Sequence, residues 1–143
     1  MILSRTAIYA LNAVLHLAEH RGEDPVRVDD MAEALGVPRN YLSKILHVMA
    51  RAGLLESARG PRGGFALVRD PATVTLAEVV DRFDDLTRAS GCLLGRERCS
   101  EDNPCAAHER WKGVSASVKA FFQETTVLDL TIEGVPVLES VPG

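Results

Sequence analysis

Aromatic residues, cysteines and long apolar runs are all scarce in this chain of 143 residues. Aromatic side chains make up 5% of it, and there are three cysteines. No stretch approaches the roughly 18 consecutive apolar residues of a membrane span, and the N-terminus lacks the pattern of a signal peptide. We therefore expect a cytoplasmic protein with no membrane partner. In such a reducing compartment, an odd number of cysteines favours a metal or redox site over a disulfide framework.

The overall charge is mildly acidic, but it is unevenly distributed along the chain. Hydrophobic residues make up 46% and charged residues 25%, which is typical of a globular domain. A net charge of −4 argues by itself against a nucleic-acid partner. Residues 39–69, however, contain six basic side chains and one acidic, a local balance of +5 that leaves −9 for the remainder. Because a local basic surface can supply DNA affinity, net charge does not exclude DNA.

Hydrophobic periodicity predicts a mainly α-helical fold with one small β-hairpin. The first helix is expected from Ala7, with Ser4 as its N-cap, and the second after a cap at Asp29-Asp30. The remaining elements are a strand-like piece at 26–28, a third helix at 39–52, strands at 54–57 and 65–68, a helix following Thr75, and a long helix at 105–123. Residues after Thr125 are expected to be loose. The third helix should bury Leu42, Ile45, Leu46 and Met49.

The second and third helices have the spacing of a helix-turn-helix. Ala32 permits close packing and Gly36 supplies the turn, while the hairpin that follows would be a wing. Polar side chains suited to bases and phosphates are expected on the third helix and the wing. We predict DNA contacts from Arg39, Asn40, Tyr41, Ser43, Lys44, Arg51, Arg59, Arg62, Gly63 and Gly64. The alternative is a helical hairpin packed on a β-hairpin with a solvated basic face.

The three cysteines lie in one short stretch that also contains a histidine. The pattern is C-x6-C-x5-C-x2-H, formed by Cys92, Cys99, Cys105 and His108. Three thiolates and an imidazole are enough to bind zinc or an iron–sulfur cluster. Two alternatives without metal stay open, namely buried cysteines acting as small apolar side chains and a thiol redox sensor.

Four segments together resemble the IscR/NsrR family of bacterial winged-helix transcription regulators that sense through an iron–sulfur cluster. The similarity extends from about Ile2 to Leu130. It is carried by Leu3-Ser4-x-x-x-x-Tyr9-Ala10, Tyr41-Leu42-Ser43-Lys44-Ile45-Leu46, Arg59-Gly60-Pro61-Arg62-Gly63-Gly64-Phe65 and the cysteine stretch.

This resemblance implies a homodimer, built on the long C-terminal helix, that binds a palindromic site in double-stranded DNA. The implied organisation is a winged helix-turn-helix DNA-binding domain at 1–86, a cysteine cluster loop at 87–105, a dimerisation helix at 106–130 and a flexible tail at 131–143. In IscR-like members a histidine completes a 2Fe–2S site, as Cys105-x-x-His108 would here. In NsrR-like members the fourth ligand of a 4Fe–4S cluster is an acidic residue of the first helix, where this chain has Ile8.

We therefore favour His108 and a 2Fe–2S cluster, but the C-x6-C gap is slightly longer than in IscR-like members and leaves the cluster type open. The expected function is a DNA-binding regulator, specifically a repressor, controlled by an iron–sulfur cluster that senses iron, redox or nitric oxide status. Alternatives are a winged-helix regulator with a structural zinc or thiol-redox site, and an iron–sulfur carrier. No motif of an enzyme is present.

Overall fold

Five α-helices and one β-hairpin make up the part of the chain that the structure describes. This computed structural model describes residues 3–85, 94 and 105–131. The predicted tail beyond Thr131 and most of the predicted cysteine loop lie outside these residues. The elements are α1 (Arg5–Glu19), α2 (Val28–Leu35), α3 (Arg39–Arg51), β1 (Glu56–Ala58), β2 (Gly64–Ala66), α4 (Leu76–Val80) and α5 (His108–Glu124), with short 3-10 helices at Pro71–Thr73 and Leu128–Leu130.

Helix α1 begins at its predicted cap and crosses the centre of the fold. The Ser4 hydroxyl accepts a hydrogen bond from the Ala7 amide, so the helix starts at Arg5, two residues earlier than predicted. Its buried side chains pack with those of α2 and α3 in the main core, where burial of a leucine contributes about 1.5–3 kcal/mol. Fully buried core residues include Leu17, Met31, Leu35, Leu42, Leu46 and Met49.

The helix-turn-helix forms as predicted, but its first helix begins differently. Gly36 ends α2 in the left-handed conformation, with φ of +66°, which glycine adopts without steric cost. Helix α2 is not capped by Asp29 and Asp30, because its N-cap is Arg27 and both aspartates lie in the first turn. There their negative charges still interact favourably with the positive, N-terminal end of the helix dipole. Helix α3 buries all four residues predicted for its inner face.

The wing is a short antiparallel hairpin that starts later than predicted. Its register pairs Glu56 with Ala66 and Ala58 with Gly64. The predicted strand residues Leu54 and Leu55 are instead buried in the core, because apolar side chains there gain more from the core than from an exposed hairpin. Val26 pairs with Phe65 through two backbone hydrogen bonds of 2.9 Å. The strand-like piece predicted at 26–28 is therefore a single bridge at Val26.

Gly64 packs closely against the backbone of Val26. A substitution there should therefore change the stability of the protein independently of any contact with DNA. A Cβ atom at this position would overlap the carbonyl oxygen of Val26. We expect Gly64→Ala to lower the free energy of unfolding by about 1–3 kcal/mol, measured by urea denaturation. The control is Gly113→Ala in α5, where a Cβ meets nothing within 4 Å and should stabilise the helix by about 0.5–1 kcal/mol. Equal stability of Gly64→Ala and wild type would contradict the Val26–Phe65 pairing.

The C-terminal part packs on α1 and α4 in a second apolar cluster. This cluster contains Ala7, Leu76, Ala77, Val80 and Phe122. Helix α5 starts at His108, three residues later than predicted, and ends at Glu124.

The residues that follow α5 are not loose as far as Thr131. Thr126 bridges to Thr75, and the Val127 amide donates to Val74 oxygen at 2.8 Å. Val127 is completely buried. The prediction of a loose segment directly after Thr125 was therefore wrong, since the chain gains both backbone hydrogen bonds and apolar burial there.

Candidate nucleic-acid interface and metal site

The outer face of α3 presents most of the predicted DNA-contacting side chains to solvent. Because the inner stripe of the helix is buried in the core, polar residues between the buried positions face outward. Ser43 is half-buried, and the others are exposed, namely Arg39, Asn40, Tyr41, Lys44 and Arg51. The wing residues Arg59 and Arg62 are exposed as well.

A cleft of about 360 Å³ lies between the start of α2, α3 and the wing. Its lining includes three arginines, Arg27, Arg39 and Arg59, together with one aspartate, Asp29. Backbone of Gly60, Gly63 and Gly64 forms the wing side. Guanidinium groups donate paired hydrogen bonds to phosphate oxygens, so the cleft has the chemistry to bind a sugar-phosphate backbone.

The Arg39 guanidinium is held in place by a carboxylate. Arg39 Nε donates to Asp29 Oδ1, and both side chains are 57% exposed. Neither Arg27 nor Asp29 was among the predicted site residues. The Val26–Phe65 bridge brings this segment beside the wing, and no local pattern in the sequence signals that pairing.

His47 connects α3 to the wing. Its ring meets the ring of Phe65 edge-on, with centroids 5.2 Å apart. Its Nδ1 donates to the Ser43 carbonyl oxygen at 2.7 Å, which in the neutral imidazole leaves Nε2 as an acceptor. His47 also lines the cleft, so it orients the wing relative to α3 as well as facing the candidate interface.

Tyr41 connects the start of α3 to α1. Its ring lies edge-on to Tyr9, with centroids 5.6 Å apart, and its hydroxyl forms a hydrogen bond with the Thr6 hydroxyl. Because the side chain is 39% exposed, part of it faces the candidate interface while the rest anchors the helix.

The basic surface differs at two residues from the one that the charge count of residues 39–69 predicts. Arg69 forms an ion pair with Glu78 of α4 and donates to the Thr73 carbonyl oxygen at 3.1 Å. It therefore joins the hairpin to α4, and its charge is largely offset. Arg27, which lies outside residues 39–69, contributes a positive charge to the cleft.

Two of the four predicted metal ligands, Cys105 and His108, lie in the turn that leads into α5. The His108 amide donates to the Cys105 carbonyl oxygen at 3.0 Å. His108 is 8% exposed and its Nε2 atom is inaccessible to solvent, whereas Cys105 is half-buried. Cys92 and Cys99 lie outside the described residues. Within residues 3–85, 94 and 105–131, no three His, Cys, Asp or Glu side chains are grouped to hold a metal ion.

Comparison with known proteins assigns the family. The family model Rrf2, described as an iron-dependent transcriptional regulator, matches residues 3–133. The chain belongs to the Rrf2 family. As an Rrf2 protein it is a DNA-binding winged helix-turn-helix transcriptional regulator, which confirms the predicted fold class and the predicted family resemblance.

Individual relatives agree with this assignment. The chain is 38% identical over 132 residues to an HTH-type transcriptional regulator of Aquifex aeolicus, covering 91% of each chain. It is 31% identical over 130 residues to the HTH-type transcriptional regulator IscR of Yersinia pseudotuberculosis, covering 91% of this chain and 79% of that one. Since these relatives are transcriptional regulators, they support neither an enzyme nor the iron–sulfur carrier alternative.

Solved structures share the same fold. CymR of B. subtilis, described as the global cysteine regulator, superimposes with a TM-score of 0.75 at 26% identity, covering 90% of this chain and 94% of CymR. T. potens IscR has a TM-score of 0.71 at 25% identity, covering 90% of this chain and 84% of that one.

Among the described residues of this Rrf2 protein, no helix is both long and apolar enough to cross a membrane.

Proposed function

We propose that this Rrf2 protein is a cytoplasmic, homodimeric repressor whose affinity for a palindromic operator depends on an iron–sulfur cluster. The cluster would be bound by Cys92, Cys99, Cys105 and His108. The observation that carries the cluster proposal is the position of half-buried Cys105 three residues before buried His108, in the backbone-hydrogen-bonded turn that leads into α5.

DNA would be bound by α3 and the wing. The exposed face of α3, which includes Arg39, offers donors and acceptors for base edges, and Arg27 and Arg59 in the cleft offer guanidinium groups for phosphates. The two contact types have separate roles, since phosphate contacts position the protein and base contacts confer specificity. Arg62 on the wing would extend the phosphate contacts beyond the cleft.

A second copy of the chain would pack on α5. Val114 and Phe121 lie seven residues apart on one face of α5 and are 52% and 51% exposed. This exposed apolar face lies beside the side that buries Ser115 and Phe122. A symmetric dimer formed here would present two α3 helices to the DNA, and such proteins bind half-sites about 34–36 Å apart.

Cys105 and His108, in the turn that leads into α5, are donor types that fit an iron–sulfur cluster. Cysteine thiolates are the usual ligands of such clusters, and histidine replaces cysteine in some 2Fe–2S centres. When bound, the cluster would supply redox chemistry that responds to oxygen, nitric oxide and iron supply. We favour 2Fe–2S because His108 is present and Ile8 of α1 offers no acidic ligand, while 4Fe–4S stays an alternative.

Contacts beside the cysteine loop support its coupling to the DNA-binding half. The Ser4 amide at the start of α1 donates to Asp84 Oδ2 at 2.7 Å, just before the loop begins. Two residues further along the chain, in the first turn of α1, Thr6 contacts Tyr41 of α3. At the other end of the loop, His108 is buried at the start of α5. A change in the loop would therefore act on elements that lead both to α3 and to the proposed dimer helix.

The experiment is anaerobic purification followed by visible absorption spectroscopy and assays of iron, sulfide and zinc. We expect a brown protein with stoichiometric iron and sulfide, and a several-fold loss of iron in Cys105→Ala and His108→Ala. His20→Ala, which removes a histidine far along the sequence from the proposed ligands, is the control and should retain iron. Binding to a selected operator is then compared for cluster-bound and cluster-free protein.

Two outcomes would contradict the proposal at different points. Colourless protein with stoichiometric zinc would show that the site is a structural zinc site and that the cluster proposal is wrong. Equal DNA affinity of the cluster-bound and cluster-free protein would contradict sensing, even if the cluster were present.

A further inference from the structure

One carboxylate, Asp29, lines the cleft among the residues that the structure describes. The other charged side chains in the lining are Arg27, Arg39 and Arg59. A negative charge facing the phosphates of a duplex opposes binding, because affinity for DNA comes largely from neutralising phosphates. If Asp29 contributes to DNA binding, it must therefore do so through an interaction that outweighs this repulsion.

The contact of Asp29 with Arg39 suggests that role. A guanidinium has five N–H donors in a rigid planar fork, and Asp29 Oδ1 accepts the one on Nε. With Nε occupied, the Nη atoms on the opposite edge can still donate two parallel hydrogen bonds. The usual partners of such a pair in the major groove are O6 and N7 of guanine.

We propose that Asp29 is a positioning residue for DNA recognition, which orients the Arg39 guanidinium so that its Nη edge selects a guanine in each half-site. The inference rests on the proposed function, since it requires that α3 contacts base edges. It goes further by naming the base and by assigning a specificity role to a residue of α2, the helix that precedes the recognition helix.

Two simpler roles for Asp29 can be separated from this one. An exposed ion pair contributes little to stability, so the Arg39 contact is not needed to hold α2 against α3. Asp29 could also serve the helix dipole, but Asp30 lies in the same first turn of α2 and is exposed. Asp30 does not line the cleft. Asp30→Asn is therefore a matched control for both the charge and the dipole.

The experiment is selection of bound duplexes from a pool of random sequence, performed with wild type, Asp29→Asn, Asp30→Asn, Arg39→Lys and Arg39→Ala. Wild type should enrich one guanine per half-site. Asp29→Asn should reduce that preference about tenfold, while affinity for unselected DNA stays the same or rises. Arg39→Lys keeps the positive charge but lacks the paired donors of the guanidinium, so it should lose the same preference. Asp30→Asn should keep the preference. Circular dichroism and the Tm should not separate Asp29→Asn from Asp30→Asn.

The variants distinguish failure of this inference from failure of the proposed interface. If Asp29→Asn and Asp30→Asn select the same sequences while Arg39→Ala loses the guanine, Arg39 contacts the base and Asp29 does not position it. If Arg39→Ala selects the wild-type sequence, the proposed contact of Arg39 with DNA is wrong and the inference falls with it.

Discussion

Replacing both Arg59 and Arg62 by alanine should lower the affinity for operator DNA about 100-fold or more. Both side chains are exposed on the wing, and Arg59 also lines the cleft that contains Arg27 and Arg39. A hydrogen bond to a charged group contributes about 1.5–3 kcal/mol, and 1.4 kcal/mol is a tenfold change in affinity. Two lost phosphate contacts in each half-site therefore give at least this effect. Titrations by fluorescence anisotropy at several salt concentrations measure it.

The salt dependence identifies the kind of contact that is lost. The slope of log affinity against log salt should become shallower by about 0.9 for each phosphate contact removed. Lysine at both positions keeps the charges and should keep most of the slope. Arg82→Ala removes an exposed charge after α4, outside the cleft, and should change neither quantity by much. An unchanged slope in the double alanine variant would show that the wing does not contact phosphates.

The parts of the fold that the sequence predicted well depend on local periodicity. Leu42, Ile45, Leu46 and Met49 repeat at three- and four-residue spacing, and all four are buried in α3. The turn at Gly36 was equally predictable, since a left-handed residue after a short helix favours glycine. From these positions the exposed face of α3 follows directly, because the side chains between the buried ones must point outward.

The parts that could not be predicted depend on pairing between distant residues. Val26 and Phe65 are far apart in sequence, yet their backbone hydrogen bonds carry Arg27 and Asp29 to the wing. Leu54 and Leu55 have strand-like character but are buried in the core, so the first strand of the wing begins only at Glu56. Arg69 was counted as part of the DNA-binding charge, although Glu78 offsets it. Tertiary contacts decide each of these cases. Local propensity marks residues 26–28 and 65–68 as strand-like, for example, but does not show that they pair with each other.

A similar contrast separates the two apolar sides of α5, which the sequence alone does not distinguish. Phe121 and Phe122 are adjacent and equally hydrophobic, but Phe122 is buried against Leu76, Ala77 and Val80 whereas Phe121 is 51% exposed. Only the packing of α4 on α5 shows which phenylalanine stabilises the subunit itself. The other one is then available for the proposed partner subunit.

Combining Val114→Glu with Phe121→Glu should convert the protein to a monomer and weaken binding to a palindromic operator by about 10²–10⁴-fold. Two glutamates would place charges on the apolar face of α5 that a second copy is proposed to cover, and burying unpaired charges is costly. Joining two binding modules raises the overall affinity by this factor through effective concentration. Light scattering measures the mass, and anisotropy titrations measure binding to full and half operators.

The matched control is Ala116→Glu, because Ala116 is exposed on α5 and lies 200° around the helix from Val114 at 100° per residue. It adds a glutamate to the same helix and should leave the dimer intact. Affinity for a single half-site should be similar in all three proteins, since α3 and the wing are unchanged. That combination separates loss of dimerisation from loss of folding, which circular dichroism checks independently. A double variant that stays dimeric would show that the subunits associate through a surface other than this face of α5.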